Sequence, residues 1–343
     1  MRPRSIERAM LLGAPLLPST DEHAASAEDL AACRELLRKG SKSFFAASLL
    51  LPKRVRVPML PIYAFCRVAD DVVDQASEPG AVEALTARLA AAYEGRPHDS
   101  PVDRAFSDVA REHELPRVVM EGLIEGFSWD AEGRRYETLS DLHAYCARVA
   151  STVGVIMSVL MGVRDPQALA RACDLGVAMQ LTNIARDVGE DARNGRVYLP
   201  LAWLEEAEID VGKWLSRPVF SAALGAVVER LLCHASVLYA RADLGIKMLP
   251  RDCRASIRAA SLIYSDIGRV VEQKGFDSVT SRAYVPLARK LLLLVRALVS
   301  PTPRPSLAIE ACGGPLDLAP LPEVRFLVDA AARPSRKREG ERA

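Results

Sequence analysis

Apolar residues recur at three- and four-residue spacing through most of the chain, and no stretch shows a convincing run of strand-like alternation. Ser26, with Asp29 three residues on, predicts a capped helix from Ala27 to about Lys39. Pro52, Pro58 and Pro61 predict that the next helix begins at Ile62. Helical periodicity covers 80–95, 101–114 and 116–131, with Pro97, Pro101 and Pro116 at the boundaries. Asp141–Val163 predicts one long, fully buried helix, too often interrupted by small and polar residues to be a membrane span. Asp165-Pro166 opens a helix that ends near Gly195, and 218–249 and 250–274 predict two more, the last closed by Gly275. The segment 284–299 is apolar with Arg289, Lys290 and Arg296; core packing is the reading taken, a membrane surface the alternative. Residues 1–27 read as a poorly ordered N-terminus, 28–299 as one all-α domain and the Pro-rich, basic 300–343 as a disordered tail.

Two stretches break the binary pattern. Tyr63–Asp74 places Asp70 and Asp74 four apart among Val68, Ala69, Val72 and Val73. Met179–Pro200 places Asp187 and Asp191 four apart, with Gln180 and Asn183 on the same face, among Val177, Ala178, Leu181, Ile184 and Val188. Like charges at this spacing repel by roughly 0.2–0.5 kcal/mol, and Asp is a poor helix former. Paired acids are common on solvated faces, but two pairs in apolar settings, each beside an arginine and a possible amide partner, point to a cation between two helices. Magnesium prefers one or two carboxylates plus phosphate oxygens, so a diphosphate is the natural co-ligand. Arg67, Arg186 and Lys42 are the cations to meet its remaining charge. Arg67 also reads as an ordinary ion-pair partner of Asp70. Ser41, Lys42 and Ser43 form either a turn or an anion contact. An apolar pocket beside such metals suits ionisation of an allylic diphosphate. A ferritin-like carboxylate site is disfavoured, because no histidine lies three residues after a glutamate.

Composition changes this picture little. The net charge of +1 and aromatic content of 6% give no footprint for nucleic acid. Seven cysteines without a CxxC pair argue against a disulfide framework or zinc site. Cys33, Cys66, Cys146, Cys173 and Cys233 read as small buried side chains, which suits a reducing cytoplasm. The apolar run 10–17 is broken by Pro15 and too short to span a bilayer. There is no GxGxxG, P-loop or internal repeat.

YAFCRVADDVVD and QLTNIARDVGEDARNGRVYLP resemble the two Asp-rich signatures of the squalene/phytoene synthase family. Ser41-Lys42-Ser43-Phe44, Tyr145-Cys146, and Ile263-Tyr264 with Asp266-Ile267-Gly268 are similar to further family motifs. YAFCRVADD, WDAEGRRY at 129–136 and RAYVP at 282–286 most resemble its bacterial phytoene synthases. The resemblance covers roughly residues 28–295. It implies the all-α isoprenoid synthase fold, a helical bundle around an apolar cavity. It also implies head-to-head condensation of two geranylgeranyl diphosphates, through prephytoene diphosphate, with Mg2+ (or Mn2+) and without NADPH. By position it implies Asp70, Asp74, Asn183, Asp187 and Asp191 as metal ligands. Ser41, Lys42, Ser43, Tyr63, Arg67, Gln180, Arg186, Tyr198 and Tyr264 become substrate contacts, and Tyr145 a tyrosine near the cation; a packed core tyrosine is its alternative. Ser151 stands where the family often has glycine, and Gly40 where some relatives have histidine. The alternatives are a squalene or dehydrosqualene synthase acting on farnesyl diphosphate and, more distantly, a non-catalytic assembly factor. A water-insoluble product implies peripheral membrane contact for a cytoplasmic enzyme.

Overall fold

The computed structural model describes residues 25–40, 50–75, 80–299 and 317–332 and contains helices and no strand among them. Helix α1, Ala27–Gly40, starts on the predicted reciprocal cap: the Ser26 amide donates to Asp29 at 3.0 Å and the Asp29 amide to Ser26 Oγ at 3.1 Å. Helix α2, Lys53–Gln75, runs through Pro58 and Pro61 and so begins nine residues before the predicted Ile62. Each internal proline removes a backbone bond, at a cost of about 3 kcal/mol or more. Burial of Val55, Met59, Leu60 and Ile62 on the same helix offsets it.

Helices α3 (Ala81–Tyr93), α4 (Pro101–Glu112) and α5 (Arg117–Ala131) follow the predicted bounds closely. The single helix predicted over 141–163 is instead three pieces. They are α6 (Leu139–Cys146), a π-helical turn (Ala147–Ser151) and α7 (Thr152–Leu160). The extra residue of the turn is accommodated where it meets α8, Pro166–Arg193, the longest helix described. A Cβ at Gly176 of α8 would lie 2.7 Å from the Ser151 backbone, so only glycine permits this contact. Ser151 is accommodated against Gly176, and its hydroxyl donates to the Cys173 carbonyl at 2.9 Å.

Short helices α9 (Leu201–Glu206) and α10 (Val211–Ser216) lead to α11 (Ala222–Ile246), α12 (Arg251–Gln273) and α13 (Leu287–Val299). Helix α8 is central: α11, α12, α7 and the π turn all pack on it, while α7 also touches α2. The spans Leu139–Leu160 and Ala222–Ile246 are apolar and long enough to cross a membrane, but 61% and 50% of their windows are buried inside the bundle.

Three further expectations need correction. The predicted disordered tail contains an ordered piece: Pro322–Val324 forms a 3-10 turn and Arg325–Ala332 a helix, α14. Val324, Leu327 and Ala331 are fully buried there, which gives this segment the apolar anchor that the Pro-rich composition around it conceals. Helix α13 does not sit in the core. Only Leu293 and Ala297 are buried, because it contacts the bundle through one side against α12. Among the cysteines, Cys33, Cys146 and Cys173 are buried and Cys66 half-buried as free thiols, but Cys233 is half-buried and disulfide-bonded.

Candidate active site

The row on α8 falls as its spacing dictates. Val177, Ala178, Leu181, Ile184 and Val188 are buried, whereas Gln180, Asn183, Arg186, Asp187 and Asp191 are half-buried along one side. Their burial is intermediate between that of a solvated face and that of a packed core. The Asn183 amide donates to Gln180 Oε1 at 3.4 Å. Asp187 accepts from Arg186 Nε at 2.7 Å. Burial, with the charges of Asp187 and Glu190 beside it, pushes the Asp191 carboxyl up to about 7. A cleft lined by Ile184, Val188, Asp191, Arg196, Tyr198 and Trp214 opens next to it.

On α2, Arg67 is exposed and donates to Asp70 Oδ2 at 3.1 Å and to Asp71 Oδ1 at 2.5 Å. Tyr63 is half-buried one turn earlier, and burial raises its phenol above the ordinary range. Asp74 lies on α2, with its side chain outside the description; Ser41, Lys42 and Ser43 lie outside the described residues. Tyr264, on α12, packs against the core cluster.

Two residues unassigned by spacing complete the site. Arg282, on the loop between α12 and α13, donates to Asp187 Oδ2 at 3.0 Å and pairs with Glu190 at 3.0 Å. Asp187 therefore sits between two guanidinium groups. The loop reaches α8 because position 189 is glycine: a Cβ there would lie 2.6 Å from the Val279 backbone, and the Gly189 amide donates to the Ser278 carbonyl at 3.1 Å. Arg282 is the first residue of the RAYVP stretch, the signal by which it was findable. The second is Asp130, in WDAEGRRY. It accepts from the Tyr145 hydroxyl at 2.8 Å and from the Tyr198 hydroxyl at 2.7 Å. The rings of Tyr136, Tyr145 and Tyr198 lie together, with centroids 5.1–6.2 Å apart. Burial, reinforced by the Asp130 charge, raises all three phenols far above their ordinary range, so they stay protonated. Tyr198, expected at a diphosphate, thus belongs to this aromatic wall, where its hydroxyl is committed to Asp130.

The donors on α2 and α8 are carboxylate and amide oxygens, the set that suits magnesium. A cation beside Asp191 would offset the burial, and the neighbouring carboxylate charges, that raise its carboxyl. Among the described residues no three acidic, histidine or cysteine side chains already converge as a metal group.

Comparison with known proteins identifies the family. The sequence profile of the squalene/phytoene synthase family matches residues 37–289. Phytoene synthase of Cereibacter sphaeroides is 51% identical over 320 residues, covering 89% of this chain and 88% of that one. Phytoene synthase of Rhodobacter capsulatus is 52% identical over 308 residues, covering 89% and 90%. The crystal structure of a dehydrosqualene synthase in complex with ligand superposes with a TM-score of 0.71 at 32% identity, over 79% of this chain and 95% of that one. Fold, acidic helices and family profile converge: the chain belongs to the squalene/phytoene synthase family.

Proposed function

We infer that the protein is a phytoene synthase, a prenyltransferase that joins two geranylgeranyl diphosphates head to head. The first half-reaction forms prephytoene diphosphate, a cyclopropyl intermediate; the second ionises and rearranges it to phytoene. Each half-reaction releases one diphosphate and one proton, and none requires NADPH. The observation that carries this reading is the half-buried acid and amide row on α8, in a chain about half identical to proteins named phytoene synthase.

Asp70, Asp74, Asn183, Asp187 and Asp191 are assigned to Mg2+ (Mn2+ as substitute). When bound, the metal neutralises diphosphate charge and serves as a Lewis acid on the leaving group. Arg67 and Arg186 take the diphosphate oxygens left over, a task their planar forks suit. Ser41, Lys42 and Ser43 are assigned to the same anion. Gln180, Tyr63 and Tyr264 orient the allylic end. Arg282 keeps the Asp187 carboxylate aimed. Tyr145 presents its ring and fixed hydroxyl to the cation, held by Asp130, while Tyr198 supports that ring. The apolar helices exclude the water that would quench a carbocation. The product has no polar group, so we place the enzyme in the cytoplasm with peripheral contact to the membrane that receives it.

Purified protein with Mg2+ and either C15 or C20 diphosphate, followed by chromatography of the hydrocarbon, tests the assignment. A C40 product from the C20 substrate is expected, and none after chelation of the metal. A C30 hydrocarbon without any C40 product overturns it.

A further inference from the structure

Seven of the fifteen large hydrophobic side chains exposed among the described residues fall within 284–299. Leu287, Leu291, Leu292, Val295, Leu298 and Val299 are between 54% and 73% exposed, and Tyr284 precedes them at 69%. Their spacing puts them on one side of α13, opposite the buried Leu293 and Ala297. The helix has three basic residues, Arg289, Lys290 and Arg296, and no acid. At about 100° per residue these fall on the flanks, between the apolar face and the bundle. This orientation is not loose. Arg289 donates to the buried Asp266 of α12 at 3.0 Å, and Arg258 of α12 donates to the Ala297 carbonyl at 3.0 Å. The bundle thus holds the apolar face outward.

We propose that α13 is an interfacial docking helix that lays the protein on an anionic lipid surface, its Leu291–Val295–Leu298 face entering the acyl boundary. The charge pattern favours this occupant. An apolar face with cationic flanks matches the layering of acyl chains beneath anionic headgroups. A second copy meeting it face to face would bring the same cations together, with no acid on either helix to pair them. At 13 residues the helix is about 20 Å long, too short to cross a bilayer, so it lies in the interface plane. It packs on α12, which carries Tyr264, so docking would bring that proposed substrate contact close to the lipid. The proposal rests on the assigned function for the purpose of docking, an insoluble product, and takes its geometry from α13 alone.

The test is co-sedimentation of the full chain, without substrate, with vesicles of phosphatidylcholine alone or mixed with phosphatidylglycerol. Wild type is expected to pellet with the anionic vesicles. Leu291→Glu with Val295→Glu should lower the partition coefficient at least about tenfold. Lys290→Gln with Arg296→Gln should lower it about fivefold per charge on the anionic vesicles only. A milder pair, Leu298→Ser with Val299→Ser, reads the same loss without placing charge on the helix. Wild type remaining in the supernatant with both vesicle types overturns the proposal. So do unchanged binding in the apolar variants and a dimer that these variants dissociate without any vesicle binding. Turnover of detergent-dispersed substrate by the same variants should equal wild type. That separates a failure of docking from a failure of the assigned reaction.

Discussion

Asp187 carries two arginines where one would neutralise it, and this sets what single substitutions should do. Asp187→Ala removes a proposed metal ligand and leaves Arg186 and Arg282 facing each other. We expect turnover to fall more than about a hundredfold with the helical circular dichroism retained; activity near wild type would undo the metal assignment. Arg282→Lys keeps the charge but loses the fork that spans Asp187 and Glu190. A loss of roughly ten- to a hundredfold in kcat/KM is expected, with lysine rescuing little. Asp243 supplies a pH signature away from the site. Burial pushes its carboxyl up to about 6, opposed by a hydrogen bond from Ser261. The folded chain then binds more protons there than the unfolded one between about pH 4 and 6, so stability at this residue falls as pH rises through that window. Asp243→Asn should therefore melt higher than wild type at pH 8 and lose that advantage near pH 4, by at most about 3 kcal/mol. A difference in melting temperature independent of pH would refute the shift.

At the scale of elements, the contact between the 275–286 loop and α8 depends on one missing side chain. Gly189→Val would press on the Val279 backbone, which already lies 2.6 Å from the site of a Cβ. The loop must then lift, and Arg282 leaves Asp187 with it. We expect kcat/KM to fall in Gly189→Val by about as much as in an Arg282 substitution, measured alongside a melt to show that the bundle persists. The C-terminal segment is fastened by a different device. Arg171 and Arg241 both pair with Asp174, which is fully buried, and donate to the Leu318 and Ala319 carbonyls at 2.9 and 2.7 Å. Arg164 donates to the Ala331 carbonyl at 3.1 Å. Removing Asp174 would strand two buried guanidinium groups. Asp174→Ala should cost about 3–5 kcal/mol in urea denaturation and loosen 317–332 to proteolysis before the rest.

For the molecule as a whole, that segment closes the bundle as well as ending it. Helix α14 packs on α5, α7 and α8, three elements from different parts of the chain. A chain ending at residue 316 would expose the surface that Val324, Leu327 and Val328 cover. Each such side chain is worth about 1.5–3 kcal/mol on burial. The truncated protein should melt markedly lower and associate, seen by calorimetry and light scattering; an unchanged melt would show the segment to be dispensable.

The helix inventory and the α8 row follow from local rules: a 3.6-residue period, an Asp or Ser cap and i, i+4 stacking act within one element, so the chain displays them directly. The Asp pairs were conspicuous because they offend the same rules. The misplaced start of α2 and the interrupted 141–163 helix have another origin. Proline and π-turn costs are local, but the burial that outweighs them comes from distant helices. Arg282 and Asp130 stand in recognisable motifs, yet their roles require Asp187 and the two tyrosines to arrive from positions 95, 15 and 68 residues away. Helix α13 shows the division most plainly. Its sequence is amphipathic whichever way it faces. Only its contacts with Asp266 and Arg258 on α12 decide that the apolar side points outward, because a periodic pattern specifies a face and packing specifies what that face meets.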